Sequence, residues 1–238
     1  MRNTIYKVED IHIMYKKVYF AAKSLVKDVK LLFNNGSYAT AYNLAQVALE
    51  EFGKLNMLYA LALRIHNKGK VTFNEIAVNL KNKNFDDDLG NGIVLLIEKN
   101  YIDYPPEIDS LLHQTNLEIS MDIDKLEELI TEDTLIVNLL EAYKELKANG
   151  ILKNSNLSRN LSYHLEALKG NSLQASFYNE EFVMPFEVIT KELCTARIMS
   201  VLILQRMYEI NGYHDKEFDL FNFDYKYYQR IEDQVLKL

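Results

Sequence analysis

Two long segments near the N-terminus have the apolar spacing of amphipathic helices. In the first, from about residue 10 to 33, apolar residues fall within about 80° of one another at 100° per residue; they are Val18, Ala22, Leu25, Val29 and Leu32. In the second, from about residue 38 to 65, one face contains Ala41, Leu44, Ala45, Ala48, Phe52, Leu55, Tyr59 and Ala62. Asn34-Asn35-Gly36 ends the first segment, and Ser37 is a suitable N-cap for the second. The pattern predicts two antiparallel helices joined by a short loop.

The polar side of the first predicted helix is basic. Its lysines lie opposite the apolar stripe and are Lys16, Lys23, Lys27 and Lys30. One interpretation is an ordinary solvated face, and the other is a basic strip that guides RNA or an acidic partner. The pattern leaves both open.

Apolar periodicity weakens between residues 67 and 155. Thr72-Phe73-Asn74-Glu75 has the form of a capping box and predicts a short helix to about Leu80. Further helices are predicted over about 122–130 and 133–148. Because no linker composition flanks this region, we interpret it as a helical insertion in one domain that spans residues 1–238.

The C-terminal third is predicted to contain two more helices and an aromatic tail. Ser158 is a plausible N-cap for a helix over about 159–169, and a last long helix is predicted from about Glu187 to Ile210. The tail, residues 213–238, is rich in Tyr and Phe. We expect it to pack on the domain or on a second subunit rather than to stack on bases.

Composition supports an all-α fold. Glycine (8) and proline (3) are scarce, which argues against a sandwich or barrel, and 48% apolar residues suffice for a core. The single cysteine, Cys194, cannot form an internal disulfide. The start of the chain does not resemble a signal peptide, and no apolar run approaches the roughly 20 residues of a membrane span. We therefore expect a cytoplasmic protein without membrane association.

The net charge of −7, from 27 Lys and Arg against 34 Asp and Glu, argues against general coating of nucleic acid. Locally the balance reverses. Between residues 144 and 159 the cations Lys144, Lys147, Lys153 and Arg159 face one carboxylate, Glu145. This basic stretch leads directly into the most chemically suggestive part of the chain.

Arg159, Asn160 and His164 form a compact set that could cleave RNA without a metal. A guanidinium can hold a phosphodiester and stabilise the charge that develops on it. The imidazole could take the proton of a ribose 2′-hydroxyl or protonate the leaving 5′-oxygen. Asn160 could fix the imidazole tautomer or contact the phosphate. Because one motif supplies one histidine while both an acid and a base are needed, a site shared across a homodimer is the consistent interpretation.

The spacing by itself is a weak signal, since a five-residue offset turns about 140° around a helix and chance also produces such pairs. The other histidines form no zinc-binding pair; they are His12, His66, His113 and His214. Asp86-Asp87-Asp88 lacks the glycine and glutamate positions of a calcium loop. We expect no metal and no cofactor.

Glu50, Glu51 and Lys54 form a second polar set on the second predicted helix. Glu50 and Lys54 have the i,i+4 spacing of an ion pair, and Glu51 lies near the edge of the apolar stripe, where it would need a partner such as Arg159 or Lys54. The set is either an ordinary surface ion pair or a polar network beneath an active site.

Two further segments of the chain contain recognisable motifs. Residues 41–54, AYNLAQVALEEFGK, form an alanine-rich "ALEE-x-GK" pattern. Leu168-Lys169-Gly170 and the later Pro185-Phe186-Glu187-Val188-Ile189-Thr190 form an "LK…P-x-E-x-I" pattern. Both patterns resemble those of AbiV-type abortive-infection proteins of the HEPN superfamily, and Arg159-Asn160-x₃-His164 resembles the superfamily ribonuclease motif R-x₄₋₆-H.

The resemblance implies a HEPN-like helical bundle, dimerisation, and defence against phage through RNA cleavage or translation arrest. Lys147, Lys153 and Lys169 then become candidate RNA contacts. A non-catalytic protein that arrests growth by binding a phage or host factor is the alternative hypothesis. A nucleotide-binding or antitoxin-neutralised module is a more remote one.

Overall fold

The computed structural model describes residues 5–67, 69–81, 93–94, 96–98, 139, 141–142, 148, 168, 176–178 and 181–210; for residues 78–81, 176–178, 181–182 and 210 it describes the backbone alone. The elements in these ranges are α1 (Val8–Asn34), α2 (Tyr38–His66), α3 (Phe73–Lys81), β1 (Ser176–Tyr178), β2 (Glu181–Val183), α4 (Pro185–Val188) and α5 (Lys191–Ile210). Helices supply the described core apart from Val71 and Ile189, which lie in connecting segments, and this confirms the all-α class.

The predicted loop between the first two helices is present. The amide N–H groups of Asn35, Gly36 and Ser37 donate to carbonyls in the last turn of α1, at 3.2, 2.9 and 2.9 Å. Gly36 has a φ of 76°, in the left-handed region that glycine adopts without steric cost. The chain therefore reverses within three residues, and α2 packs back along α1.

The buried face of α1 differs from the predicted stripe. The fully buried positions follow a spacing of three and four residues and are Ile11, Tyr15, Tyr19, Ala22, Val26 and Val29. Val18, Leu25 and Leu32, which were predicted to belong to the stripe, are only partly buried. The difference arises because the tyrosines, which have a polar tip on a large apolar ring, occupy the inward positions of the first half.

Helix α2 lies at the centre of the described bundle, with α1 and α5 packed against it. Small residues permit close approach in its first half, where Ala41, Ala45 and Ala48 are fully buried. In its second half the Phe52 ring stacks on Tyr208 of α5, with centroids 5.6 Å apart. The hydroxyl of Tyr208 donates to the carbonyl oxygen of Phe52 at 3.1 Å, so α5 is fixed to α2 by both contacts.

The predicted capping box begins α3. The Thr72 N–H donates to Glu75 Oε2 at 2.7 Å, and the Glu75 N–H donates to Thr72 Oγ1 at 3.4 Å. Residues 5 and 72 form an antiparallel bridge, and the Tyr6 N–H donates to the Val71 carbonyl at 3.0 Å. The start of the described chain is thereby tied to the α2–α3 connection.

The region before α5 is more irregular than predicted. β1 and β2 pair as an antiparallel hairpin, with Phe177 opposite Phe182. The predicted last helix is divided into α4 and α5, because Thr190 begins a new helix: its Oγ1 accepts from the Leu193 N–H at 3.2 Å. A threonine at an N-cap satisfies an N–H that would otherwise lack an intrahelical partner. The end at Ile210 agrees with the prediction.

Residues of the other predicted helices are described only in part. Leu139, Glu141, Ala142 and Ala148 are helical, and so is the buried Leu168. Residues 93–94 and 96–98 are also helical and buried, although the sequence predicted no helix there. The treatment of residues 67–155 as an insertion stays a prediction, and the tail 213–238 lies outside the described residues. No described helix is long and apolar enough to cross a membrane.

Candidate functional site

The residues predicted to cleave RNA, Arg159, Asn160 and His164, lie outside the described residues. So do the predicted RNA contacts, Lys147, Lys153 and Lys169. The roles of all six stay predictions.

The supporting residues Glu50, Glu51 and Lys54 lie on α2, and each is half-buried. Lys54 Nζ pairs with a carboxylate oxygen of Glu51, three residues earlier. The Glu50 carboxylate accepts a hydrogen bond from Gln46 Nε2 at 3.3 Å. The contact of Gln46 connects the outward-facing part of α2 to a polar cluster inside the core.

Arg197 of α5 lies at the centre of that cluster and is completely buried, as is Glu98. Its Nε contacts Glu98 Oε1 and its Nη2 donates to Glu98 Oε2 at 2.7 Å, so the two side chains form a side-on bidentate pair. Nη2 also donates to the Tyr42 hydroxyl at 2.7 Å, and Nη1 donates to Gln46 Oε1. A buried guanidinium is tolerated only when paired and hydrogen-bonded, and these contacts provide both.

This ion pair joins three parts of the fold. Arg197 comes from α5, Tyr42 and Gln46 come from α2, and Glu98 comes from the helical residues 96–98. The guanidinium carbon also lies 4.6 Å from the centre of the Tyr42 ring, close enough for a cation–π contact. Residues 96–98 are therefore attached to the bundle by electrostatic as well as apolar contacts.

None of these four residues was singled out in the sequence, although a signal existed for two of them. Arg197 is the one charged residue between Leu193 and Leu204, a stretch that is otherwise apolar or hydroxyl-bearing. Glu98 directly follows the apolar run Ile93 to Ile97. A charge within or at the end of an apolar segment needs a polar partner if it is buried, so each residue indicates a buried polar contact without identifying its partner.

A second polar cluster joins α1 to the end of α5. The Glu209 carboxylate accepts from Lys23 Nζ at 3.0 Å, Tyr19 Oη at 3.2 Å and Gln205 Nε2 at 2.8 Å. Burial alone would raise the pKa of Glu209, but the hydrogen bonds from Gln205, Lys23 and Tyr19 outweigh it and lower the pKa. Lys23 of the predicted basic strip is thus engaged in helix packing.

Burial also controls the chemistry of Cys194, which lies one turn before Arg197. Loss of solvent raises the pKa of its thiol to about 12, and nearby Arg197 only partly opposes the rise. A thiol in this state is a poor nucleophile. Among the residues that the structure describes, no group of three or more His, Cys, Asp or Glu side chains could hold a metal ion.

The model of the HEPN family AbiV matches residues 10–205 of this chain. The chain belongs to the AbiV family. The match extends from α1 almost to the end of α5, so the AbiV region includes the polar cluster around Arg197 and the segment with Arg159 and His164. It confirms the resemblance seen in residues 41–54 and 168–190. No curated protein and no solved structure matched the chain.

Proposed function

We propose that this AbiV-family protein is a cytoplasmic abortive-infection protein that arrests phage growth by cleaving RNA, without a metal, at a site shared by two subunits. The observation that carries the proposal is the position of Arg159-Asn160-x₃-His164 within the span matched by the AbiV model. An arginine and a histidine supply the two requirements of phosphodiester cleavage, a fixed positive charge and a proton carrier.

The proposed reaction is a transesterification in which the bond from phosphorus to the 2′-oxygen forms and the bond to the 5′-oxygen breaks, which releases a 5′-hydroxyl. His164 takes the proton of the ribose 2′-hydroxyl, whose oxygen attacks the adjacent phosphorus. Arg159 neutralises the charge on the non-bridging oxygens as the pentacoordinate state forms. His164 of the partner subunit then protonates the departing 5′-oxygen, and a 2′,3′-cyclic phosphate remains. Lys147, Lys153 and Lys169 would bind the flanking phosphates.

The test uses the purified full chain, single-stranded RNA and excess EDTA. Loss of a general acid–base should lower the cleavage rate by about 10²- to 10⁴-fold in His164→Ala, and we expect a comparable loss in Arg159→Ala. His66→Ala is the matched control, because His66 is an exposed histidine at the end of α2. We expect it to keep wild-type activity and the unfolding temperature of the parent.

Two outcomes would refute the ribonuclease proposal. One is wild-type cleavage in both variants, and the other is no cleavage by the wild-type chain. If both variants also remain toxic in cells, the alternative of growth arrest by binding a phage or host protein would be favoured.

A further inference from the structure

A continuous series of polar contacts leads from the core to the half-buried carboxylate of Glu50. It runs from Glu98 to Arg197, from Arg197 Nη1 to Gln46 Oε1, and from Gln46 Nε2 to Glu50 Oε1 at 3.3 Å. We name these four residues the Gln46 relay. Its inner end is fully buried, whereas Gln46 and Glu50 are half-buried. The relay thus connects the buried core to a group near the surface.

The chemistry of its neighbours fixes the orientation of the Gln46 amide. A guanidinium has only donors, so the group that faces Arg197 must be the amide oxygen. An ionised carboxylate has only acceptors, so the group that faces Glu50 must be the amide nitrogen. A flip of the amide would replace both hydrogen bonds, giving a donor–donor contact with Arg197 and an acceptor–acceptor contact with Glu50. Gln46 therefore holds the Glu50 carboxylate in one direction relative to Arg197.

A second glutamine–glutamate pair shows what this arrangement adds. Gln205 on α5 donates from Nε2 to Glu209 Oε1 at 2.8 Å, with the same four-residue spacing. The oxygen of Gln205 is buried and has no hydrogen-bond partner in the described part of the chain. A Gln–Glu pair on a helix can thus form without a partner for the amide oxygen of the glutamine. At Gln46, by contrast, the amide oxygen accepts a hydrogen bond from the buried guanidinium of Arg197.

We propose that Gln46 is a positioning residue, through which the buried Arg197–Glu98 pair orients the carboxylate of Glu50 for the RNA reaction. The role of Glu50 in RNA cleavage rests on the proposed function, whereas the effect of the buried ion pair on the orientation of the Glu50 carboxylate does not. Glu50 in turn presents a fixed acceptor, able to hold a guanidinium or an imidazolium in one direction. Preorganisation of this kind matters because small misplacements of reacting groups cost large factors in rate.

The transmission can be measured without any activity. The carboxyl carbon of Glu50 is followed by NMR while the inner end of the relay is perturbed by Glu98→Gln or, more mildly, by Tyr42→Phe. We expect the Glu50 signal to shift in the wild-type background and this shift to disappear in the Gln46→Met background. A shift of the same size in both backgrounds would arise through space alone and would overturn the proposal.

The role in the reaction is measured by kinetics. Gln46→Met keeps the side-chain length but removes both hydrogen-bonding groups, and we expect it to lower kcat by about ten- to a hundredfold with KM unchanged. Gln205→Met is the matched control, which loses a Gln–Glu contact outside the relay and should keep kcat. Unchanged kcat in Gln46→Met, or an equal loss in both variants, would overturn the positioning role. If the wild-type chain does not cleave RNA, the proposed function fails and the NMR measurement alone decides the relay.

Discussion

Removal of the Glu98 carboxylate should be among the most damaging single changes in the core. Glu98→Ala leaves the Arg197 guanidinium fully buried without its counter-ion, since both side chains are 0% exposed. Breaking a buried ion pair from one side costs about 3–5 kcal/mol. In a chain of this length each kcal/mol lost from the free energy of unfolding lowers the unfolding temperature by about 2–4 °C, so the expected decrease is about 6–20 °C.

The matched control is the half-exposed pair of Lys23 and Glu209, whose side chains are 37% and 19% exposed. Lys23→Met should cost no more than about 1 kcal/mol, because solvent screens such a pair. Glu209 also keeps its hydrogen bonds from Tyr19 and Gln205. Thermal and urea unfolding, followed by far-UV circular dichroism, would compare the two variants directly.

A double replacement separates the cost of an unpaired charge from the value of the pair. Arg197→Met combined with Glu98→Leu removes both charges and fills the space with apolar groups, so it should recover most of the loss seen in Glu98→Ala. The reasoning would be refuted if Glu98→Ala were no less stable than Lys23→Met. It would also be refuted if the double variant were as unstable as Glu98→Ala.

Two further predictions concern protonation. Burial raises the pKa of Cys194 to about 12, so its thiol should resist alkylation at mildly alkaline pH in the native chain and react only after unfolding. Mass spectrometry would measure the modification, and rapid alkylation of the folded chain would contradict the prediction. The pKa of Glu209 is lower in the folded state than in the unfolded state, where it is about 4.3. The ionised carboxylate therefore stabilises the fold above the unfolded-state pKa, and this contribution is lost as the pH falls through the folded-state pKa. The stability difference between the wild type and Glu209→Gln should therefore shrink in acid, and a difference independent of pH would refute the assignment.

Local rules explain what the sequence predicted correctly. The turn at Asn35-Gly36 and the capping box of Thr72 and Glu75 each depend on residues within one or two helical turns. Such features can be predicted because the interacting groups are neighbours along the chain.

The pairing of Arg197 with Glu98 could not be predicted in this way. The two residues are separated by 99 positions, and the partner could have been any carboxylate that the fold brings near α5. The predicted stripe of α1 omitted Tyr15 and Tyr19, which are buried. The hydroxyl of Tyr19 is satisfied by Glu209 of α5, a partner 190 positions away that the sequence pattern of α1 does not reveal. The geometry of Arg159 and His164 stays a prediction.

The order of synthesis gives the buried ion pair a consequence for folding. α1 and α2 are adjacent in sequence and can associate early, whereas Arg197 contacts Glu98 and Gln46 across 99 and 151 positions. A growing chain that has passed Glu98 but not Arg197 holds a carboxylate whose burial has no compensating charge from α5. The central cluster therefore closes only after α5 has been synthesised, so a chain that stops before Arg197 cannot complete this part of the core.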